Sequence, residues 1–152
     1  MSAAAIALHV LAAVIWVGGM FVIYACLRPA LGTLEAPQRL RLMQATFQKF
    51  FLWVWLAIAS LLVSGYWMLF VTFGGFTRVG VHVHIMQTIG WLMIVLFGVL
   101  FYGVWPTFRR AVEEENWPVA GANLNTIRQI VAINLPLGLL VVVIAASGRY
   151  WG

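Results

Sequence analysis

Four long stretches of the chain contain no charged residue, and charged segments separate them. The stretches cover residues 1–27, 50–77, 79–108 and 129–148. A helix needs about 20 mainly apolar residues to cross the hydrocarbon layer, and each stretch is long enough. Because lipid offers no hydrogen-bond partners, a stretch that crosses it must pair its own backbone groups as a helix. The pattern predicts an all-α fold, a four-helix transmembrane bundle that forms a single domain over residues 1–152.

Basic residues are unevenly distributed among the segments that flank these stretches. Segments 28–49 and 109–128 hold all of the arginines and lysines except Arg78 and Arg149. Loops rich in Lys and Arg remain in the cytoplasm of multi-pass membrane proteins. The sequence therefore predicts a multi-pass protein of a bacterial-type inner (cytoplasmic) membrane, with both termini on the outer side.

Composition excludes several classes of function. The chain is 64% hydrophobic and 9% charged, and its net charge of +5 lies at loops and helix ends, which indicates contact with anionic lipid and no nucleic acid. It has no aspartate, and its four glutamates lie outside the apolar stretches, which argues against a pump or an ion-coupled transporter. A single cysteine allows no intrachain disulfide or cysteine cluster. Imidazole is the chemistry that remains.

Two of the three histidines share a spacing that points to a cofactor. His9 and His84 are each followed, seven residues later, by a tryptophan, Trp16 and Trp91. The first and third helices run parallel, so the two imidazoles are expected at similar depth near the outer side, and the spacing hints at a parallel repeat. The polar face of the third helix, which carries His84, is expected to look into the bundle. Two inward imidazoles at matched depth suit the axial ligation of a b-type haem.

Other residues would complete such a haem site. Trp16 and Trp91 are predicted to line the pocket, and Arg78 and Arg149, the only basic residues on the outer side, to pair with the haem propionates. Packing and interfacial anchoring explain the same residues without a cofactor. Likewise, His9 and His84 fit an interface position or a hydrogen bond to each other.

The third histidine supports an alternative. His82 is rotated by about 200° from His84 and shares its helix face with Met86 and Met93. Imidazole and thioether ligands suit the soft ion Cu(I), although a methionine stripe on a membrane helix also serves packing. His82, Met86 and Met93 are therefore the alternative, copper-binding set.

Several short motifs resemble those of a known family. Leu8-His9-Val10, the run from Trp16 to Met20, and Leu27-Arg28-Pro29 are similar to the integral-membrane copper-resistance D (CopD) family. His84-Ile85-Met86 with Gly90-Trp91, and the ending Asn134-Leu135 with Gly148-Arg149, are similar as well. This resemblance implies a copper-handling membrane protein.

The chain also resembles the HemJ family of membrane protoporphyrinogen oxidases, small helical bundles that bind haem b. The resemblance places the two family histidines at His9 and His84. The family's lysine two residues after the second histidine is Met86 here, and Asn134-Leu135-Pro136 lacks the family's neighbouring acid. These departures weigh against the oxidase activity and leave haem binding in place.

Taken together, the residues predict a b-type haem protein with a redox or electron-transfer role. Quinone or another redox partner is expected, a homo-oligomer is allowed, and any enzymatic turnover as an oxidoreductase stays undecided. The alternative is CopD-like transport of copper or resistance to it. A structural subunit whose histidines only pack is the third interpretation.

Overall fold

The structure is a computed structural model that describes residues 2–151, apart from the side chains of Ser2 and Arg149. Four helices of 31 to 37 residues are long and apolar enough to cross a membrane. They are named α1 (Ala3–Thr33), α2 (Ala36–Thr72), α3 (Val81–Glu113) and α4 (Trp117–Ser147). The described residues contain no strand, so the predicted all-α, four-helix bundle is confirmed.

The helices extend well beyond the predicted spans. Segments 28–49 and 109–128, which the charge pattern assigned to loops, are mostly helical, and only residues 34–35 and 114–116 connect the helices at that end. At about 1.5 Å per residue, each helix is some 45 Å long or more, whereas the hydrocarbon core is about 30 Å thick. The charged turns therefore project past the lipid as helix, where water and headgroups solvate them.

Proline and glycine mark the helix ends. Three of the helices also contain π-helical turns, within the helix or at its end. Pro37 and Pro118 lie in the first turns of α2 and α4, where the missing N–H costs nothing. The loop between α2 and α3, residues 73–80, is named the outer loop because the basic bias predicts it on the outer side. Its Gly74 and Gly75 adopt φ values of 78° and 109°, which favour glycine. α4 continues through Pro136 without a break. The π-helical turns lie at Val14–Gly18, Val22–Leu27, Met68–Thr72 and Leu100–Val104.

Each helix packs most closely on its neighbour in the sequence. α1 lies along α2, and α3 lies along α4, so the chain forms two helical hairpins. Aromatic rings join the hairpins in the half of the bundle nearer the short connections. Phe51 packs its ring 5.5 Å from that of Phe97 and 5.2 Å from that of Trp105, and Phe47 stacks on Phe51 at 5.2 Å.

The short connections are tied together on the surface. Arg41, near the start of α2, forms an ion pair with Glu115 in the α3–α4 connection, and its guanidinium lies 5.3 Å from the ring centre of Trp117. Asn116 caps α4 by accepting a hydrogen bond from the backbone N–H of Val119 at 3.4 Å. These contacts fix the ends of α2 and α4 relative to each other.

The basic bias makes a direct prediction about topology. In a Cys26→Ser background, a Glu114→Cys variant in intact cells should resist a membrane-impermeant thiol reagent, because seven of the nine basic residues lie at that end. A Thr77→Cys variant in the outer loop should react with it. Labelling of Glu114→Cys but not of Thr77→Cys would contradict the orientation and place the short connections outside.

Candidate functional site

His9 lies between α1 and α2. Its Nδ1 is 2.9 Å from the hydroxyl oxygen of Ser64, and that hydroxyl is 2.5 Å from the carbonyl oxygen of Ser60. Because a hydroxyl has one proton to give, donation to the carbonyl leaves the His9 Nδ1–H as the donor to Ser64. The Nε2 of His9 then keeps its lone pair. Gly65 allows this approach, since a Cβ there would lie 3.2 Å from the imidazole.

His84 lies on the face of α3 that points away from the bundle core. The prediction that this face looks inward is wrong. The residues on this face of α3 are open, with Trp91 45% exposed and Tyr102 72% exposed. The imidazole of His84 is itself exposed and stacks on Phe76 of the outer loop, with ring centres 6.2 Å apart. The polar groups that suggested an inward face are satisfied on the surface. The Thr88 hydroxyl donates to the backbone carbonyl of His84 at 2.9 Å.

Opposite sides of α2 contact the faces that carry His9 and His84. On one side of α2, the Ser64 hydroxyl forms a hydrogen bond with His9. On the other side, which contacts the face of His84, the Tyr66 hydroxyl accepts hydrogen bonds from Gln87 at 3.0 Å and from Trp91 at 3.3 Å. Ser64 and Tyr66 are separated by about 200° around the helix, so α2 stands between the two faces. Axial ligation requires both imidazoles to meet one iron atom. The arrangement therefore does not fit a haem held by His9 and His84 of one chain.

The other predicted haem contacts are also dispersed. Trp16 is buried in the core, 3% exposed, with its ring edge-on to Phe97 at 6.4 Å. Trp91 is on the surface, so the two His-x6-Trp motifs face in different directions and do not form equivalent halves of a repeat. Arg78 is exposed in the outer loop beside Gly74. The Arg149 side chain lies outside the described part of the structure.

His82 points inward, between α3 and the end of α4. Its Cβ and Cγ lie so close to Gly148 that a Cβ at that glycine would be 2.5 Å from both. The ring lies edge-on to Trp151, with centres 6.5 Å apart. Gly80 flanks the imidazole, since a Cβ there would be 2.8 Å from Nδ1. Glycines thus allow α4 and the start of α3 to close around this half-buried imidazole.

The methionines that share the His82 face also turn inward. Met86 is half-buried, and Met93 is 4% exposed. The Met93 methyl carbon packs on α4, where a Cβ at Gly138 would lie 3.1 Å from it. Of the two helix faces that carry histidine, the one with soft ligands therefore faces the bundle.

Helix geometry separates the side chains of His82, Met86 and Met93 into two levels. Met86 lies about 6 Å below His82 along the helix axis, and Met93 lies about 10 Å further. His82 and Met86, one turn apart, are close enough to share one ion, whereas Met93 is too far from His82 to join them. Over residues 2–151, no three His, Cys, Asp or Glu side chains come together as a metal site. Any ion on this face would depend on methionine sulfur.

Comparison of the sequence with family models assigns the chain to a family. A family model described as copper resistance protein D, CopD, matches residues 44–147. The chain belongs to the CopD family. No curated protein and no solved structure gives a significant match. The CopD match covers most of α2 and all of α3 and α4. His82, Met86 and Met93 lie within the matched region, and His9 lies before it. The resemblance to HemJ stays a prediction.

One polar group of this CopD protein was not among the predicted site residues. Asn134, 3% exposed in α4, donates its amide to the backbone carbonyl of Met93 at 3.4 Å. Its own side-chain oxygen, Oδ1, is buried without a hydrogen-bond partner among the described residues. An unpaired buried carbonyl costs about 1–3 kcal/mol. The sequence signal was an amide within an apolar span, in the Asn134-Leu135-Pro136 segment.

Proposed function

We propose that this CopD-family protein handles copper(I) in the membrane, and that the inward face of α3 binds the ion. The observation that carries the proposal is the rotation of α3, which turns His82, Met86 and Met93 into the bundle and leaves His84 outside. Thioether sulfur and imidazole nitrogen are ligands that Cu(I) accepts, whereas the described residues include no buried carboxylate side chain for a hard cation. Family membership independently supports copper as the cargo.

Depth gives the ligands an order. His82 and Met86 lie within the first two turns of α3, so an ion that arrives from the outer side would meet them first. Met93 lies roughly 18 Å from the start of α3, which is past the middle of the hydrocarbon layer. The unpartnered Oδ1 of Asn134 belongs to the residue that contacts the Met93 backbone, so it offers a polar group at the same depth. These residues define an outer station and an inner station.

The far side of the inner station is closed. One turn beyond Met93, the ring of Phe97 packs against Phe51, Trp55 and Phe101, and this aromatic cluster continues toward the short connections. Two other buried methionines, Met20 and Met43, belong to the same core, but among the described residues these rings have no histidine in that core with them. The arrangement favours binding and relay of copper from the outer side over continuous conduction across the membrane. A cytoplasmic membrane of the bacterial type agrees with the basic bias and is part of the proposal.

Purified protein from copper-supplemented cells tests the proposal through two matched pairs of variants. His82→Ala should lower bound copper at least about tenfold, because loss of a ligand exceeds the 10- to 100-fold effect of losing a supporting group. His84→Ala, two residues away on the outer surface, should retain it. Met86→Leu/Met93→Leu roughly preserves volume and should lose copper, whereas Met68→Leu on α2 should not. Copper per chain is measured by mass spectrometry after removal of free metal.

Haem remains the competing interpretation, and the same samples test it. A b-type haem with an electron-transfer or oxidoreductase role would give the purified protein a Soret band that His9→Ala or His84→Ala abolishes. The copper proposal expects colourless protein and no need for quinone as a redox partner. If wild-type protein carried no copper and showed a Soret band that His84→Ala abolishes, the copper proposal would be wrong and the protein would bind haem. Such a haem would then need a second copy of the chain.

A further inference from the structure

A cleft with a positively charged mouth opens at the end of the bundle opposite His82. It is shallow, because the space that a water-sized sphere can enter is about 20 Å³, and it lies between α1, α2 and α4. Its lining is apolar: Phe47 from α2 and Ile127 from α4 are buried, and Ile23 from α1 and Val131 from α4 are half-buried. Arg28 of α1 and Arg128 of α4 lie at its edge. The cleft thus combines a hydrocarbon surface with two guanidinium groups at the membrane boundary.

The positive charge at this mouth is uncompensated. Arg28 and Arg39 are close enough to Arg128 for their charges to act on it, and Arg128 is half-buried. The two ion pairs that the described residues form use Arg41 and Arg109 instead. The guanidinium of Arg28 lies over the ring of Tyr24, 5.1 Å from its centre, which orients the group without neutralising it. Three neighbouring cations without a carboxylate partner form a site that favours an anion.

We propose that this cleft binds an anionic phospholipid, with its phosphate between Arg28 and Arg128 and one acyl chain along the apolar wall. A guanidinium group can donate two parallel hydrogen bonds to the oxygens of one phosphate. Basic pockets between membrane helices on the cytoplasmic side are typical sites for phospholipid headgroups. A free phosphate ion would use the arginines but leave the apolar wall empty. The basic bias places the cleft at the cytoplasmic leaflet, where anionic lipid is available. The site is independent of the copper proposal.

Thermal unfolding of the purified protein in a neutral detergent tests the site. Added phosphatidylglycerol should raise the unfolding midpoint of wild type, whereas phosphatidylcholine and inorganic phosphate should leave it unchanged. Arg28→Gln/Arg128→Gln should weaken phosphatidylglycerol binding at least about tenfold, because each cation near the surface contributes to the attraction. Arg110→Gln is the matched control, since Arg110 is exposed at the same end and outside the cleft.

A second variant keeps the test informative if the double variant does not fold. Val131→Trp fills the apolar wall and retains every arginine, so it should also lose phosphatidylglycerol binding. Equal protection by inorganic phosphate would overturn the lipid assignment and leave a simple anion site. Equal loss in Arg110→Gln would show general surface charge and overturn the cleft. If phosphatidylglycerol did not raise the unfolding midpoint of wild type, both the lipid assignment and the cleft as its binding site would be wrong.

Discussion

Replacement of Asn134 by aspartate should strongly destabilise the protein. The two side chains have the same shape, but an ionised aspartate would place an unpaired charge in the buried core of a membrane helix. Insertion scales assign about 2.5–3.5 kcal/mol to a charged residue at the centre of such a helix. No described basic side chain contacts Asn134, whose one hydrogen bond is to the Met93 carbonyl. A much lower unfolding midpoint and poor membrane accumulation are expected.

Asn134→Leu is the matched control, and we expect it to raise the stability or leave it unchanged. It removes an unpartnered carbonyl that costs about 1–3 kcal/mol and loses only a long, 3.4 Å hydrogen bond. Unfolding in detergent should therefore show stability equal to that of wild type or above it. If Oδ1 belongs to the inner copper station, this stable variant should also bind less copper. A stable Asn134→Asp protein would mean that the buried oxygen has a partner or is accessible to water.

Gly148→Ala should separate the outer ends of α3 and α4. The added Cβ would lie 2.5 Å from both Cβ and Cγ of His82. The backbone of α3 fixes the His82 Cβ, so rotation of the side chain could move Cγ but would not relieve the contact with Cβ. Overpacking of this kind costs about 1–3 kcal/mol, and the imidazole would be displaced from its inward position. A lower unfolding midpoint and reduced copper binding are both expected. Gly98→Ala, on α3 with nothing within 4 Å of its Cβ, should be neutral or slightly stabilising.

A double variant distinguishes this contact from a general effect of alanine. His82→Gly removes both atoms that Gly148→Ala would strike, so the two changes together should cost less stability than the sum of the separate costs. Additive losses, or an unaffected Gly148→Ala protein, would mean that the two helix ends do not meet so closely in the membrane.

The sequence predicted the number and identity of the helices but not the rotation of α3. Charge-free stretches mark a membrane span because a charge in lipid is costly, and that signal holds for each helix. Which face turns inward has no such signal, since lipid is as apolar as the bundle core. The polarity of the face of α3 that carries His84 favoured an inward position, yet two of its polar side chains, the half-buried Gln87 and the exposed Trp91, donate to Tyr66 of the neighbouring α2.

The clues to the correct rotation were on another helix. His82 can turn inward because Gly148, directly after α4, leaves space for it, and Met93 can turn inward because Gly138 of α4 leaves space. Such pairings across the bundle depend on how the helices are aligned in depth, which a single sequence does not specify. The same limit applies to His9, whose partner Ser64 lies 55 residues away on α2.

The hydrogen bonds in the bundle divide by hairpin, and this has a consequence for assembly. His9 and Ser64 satisfy each other within the first hairpin, and Asn134 finds the Met93 carbonyl within the second. Among the described residues, the polar side-chain links between hairpins lie near the outer loop or near the short connections: Tyr66 with Gln87 and Trp91, Arg41 with Glu115, and Gln44 with the Arg109 carbonyl. Each hairpin can therefore enter the lipid during synthesis with its own His9–Ser64 or Asn134–Met93 pair formed, whereas Tyr66 gains Gln87 and Trp91 as partners only when the hairpins dock. Docking of the two hairpins then becomes a later step, driven by the packing of aromatic rings.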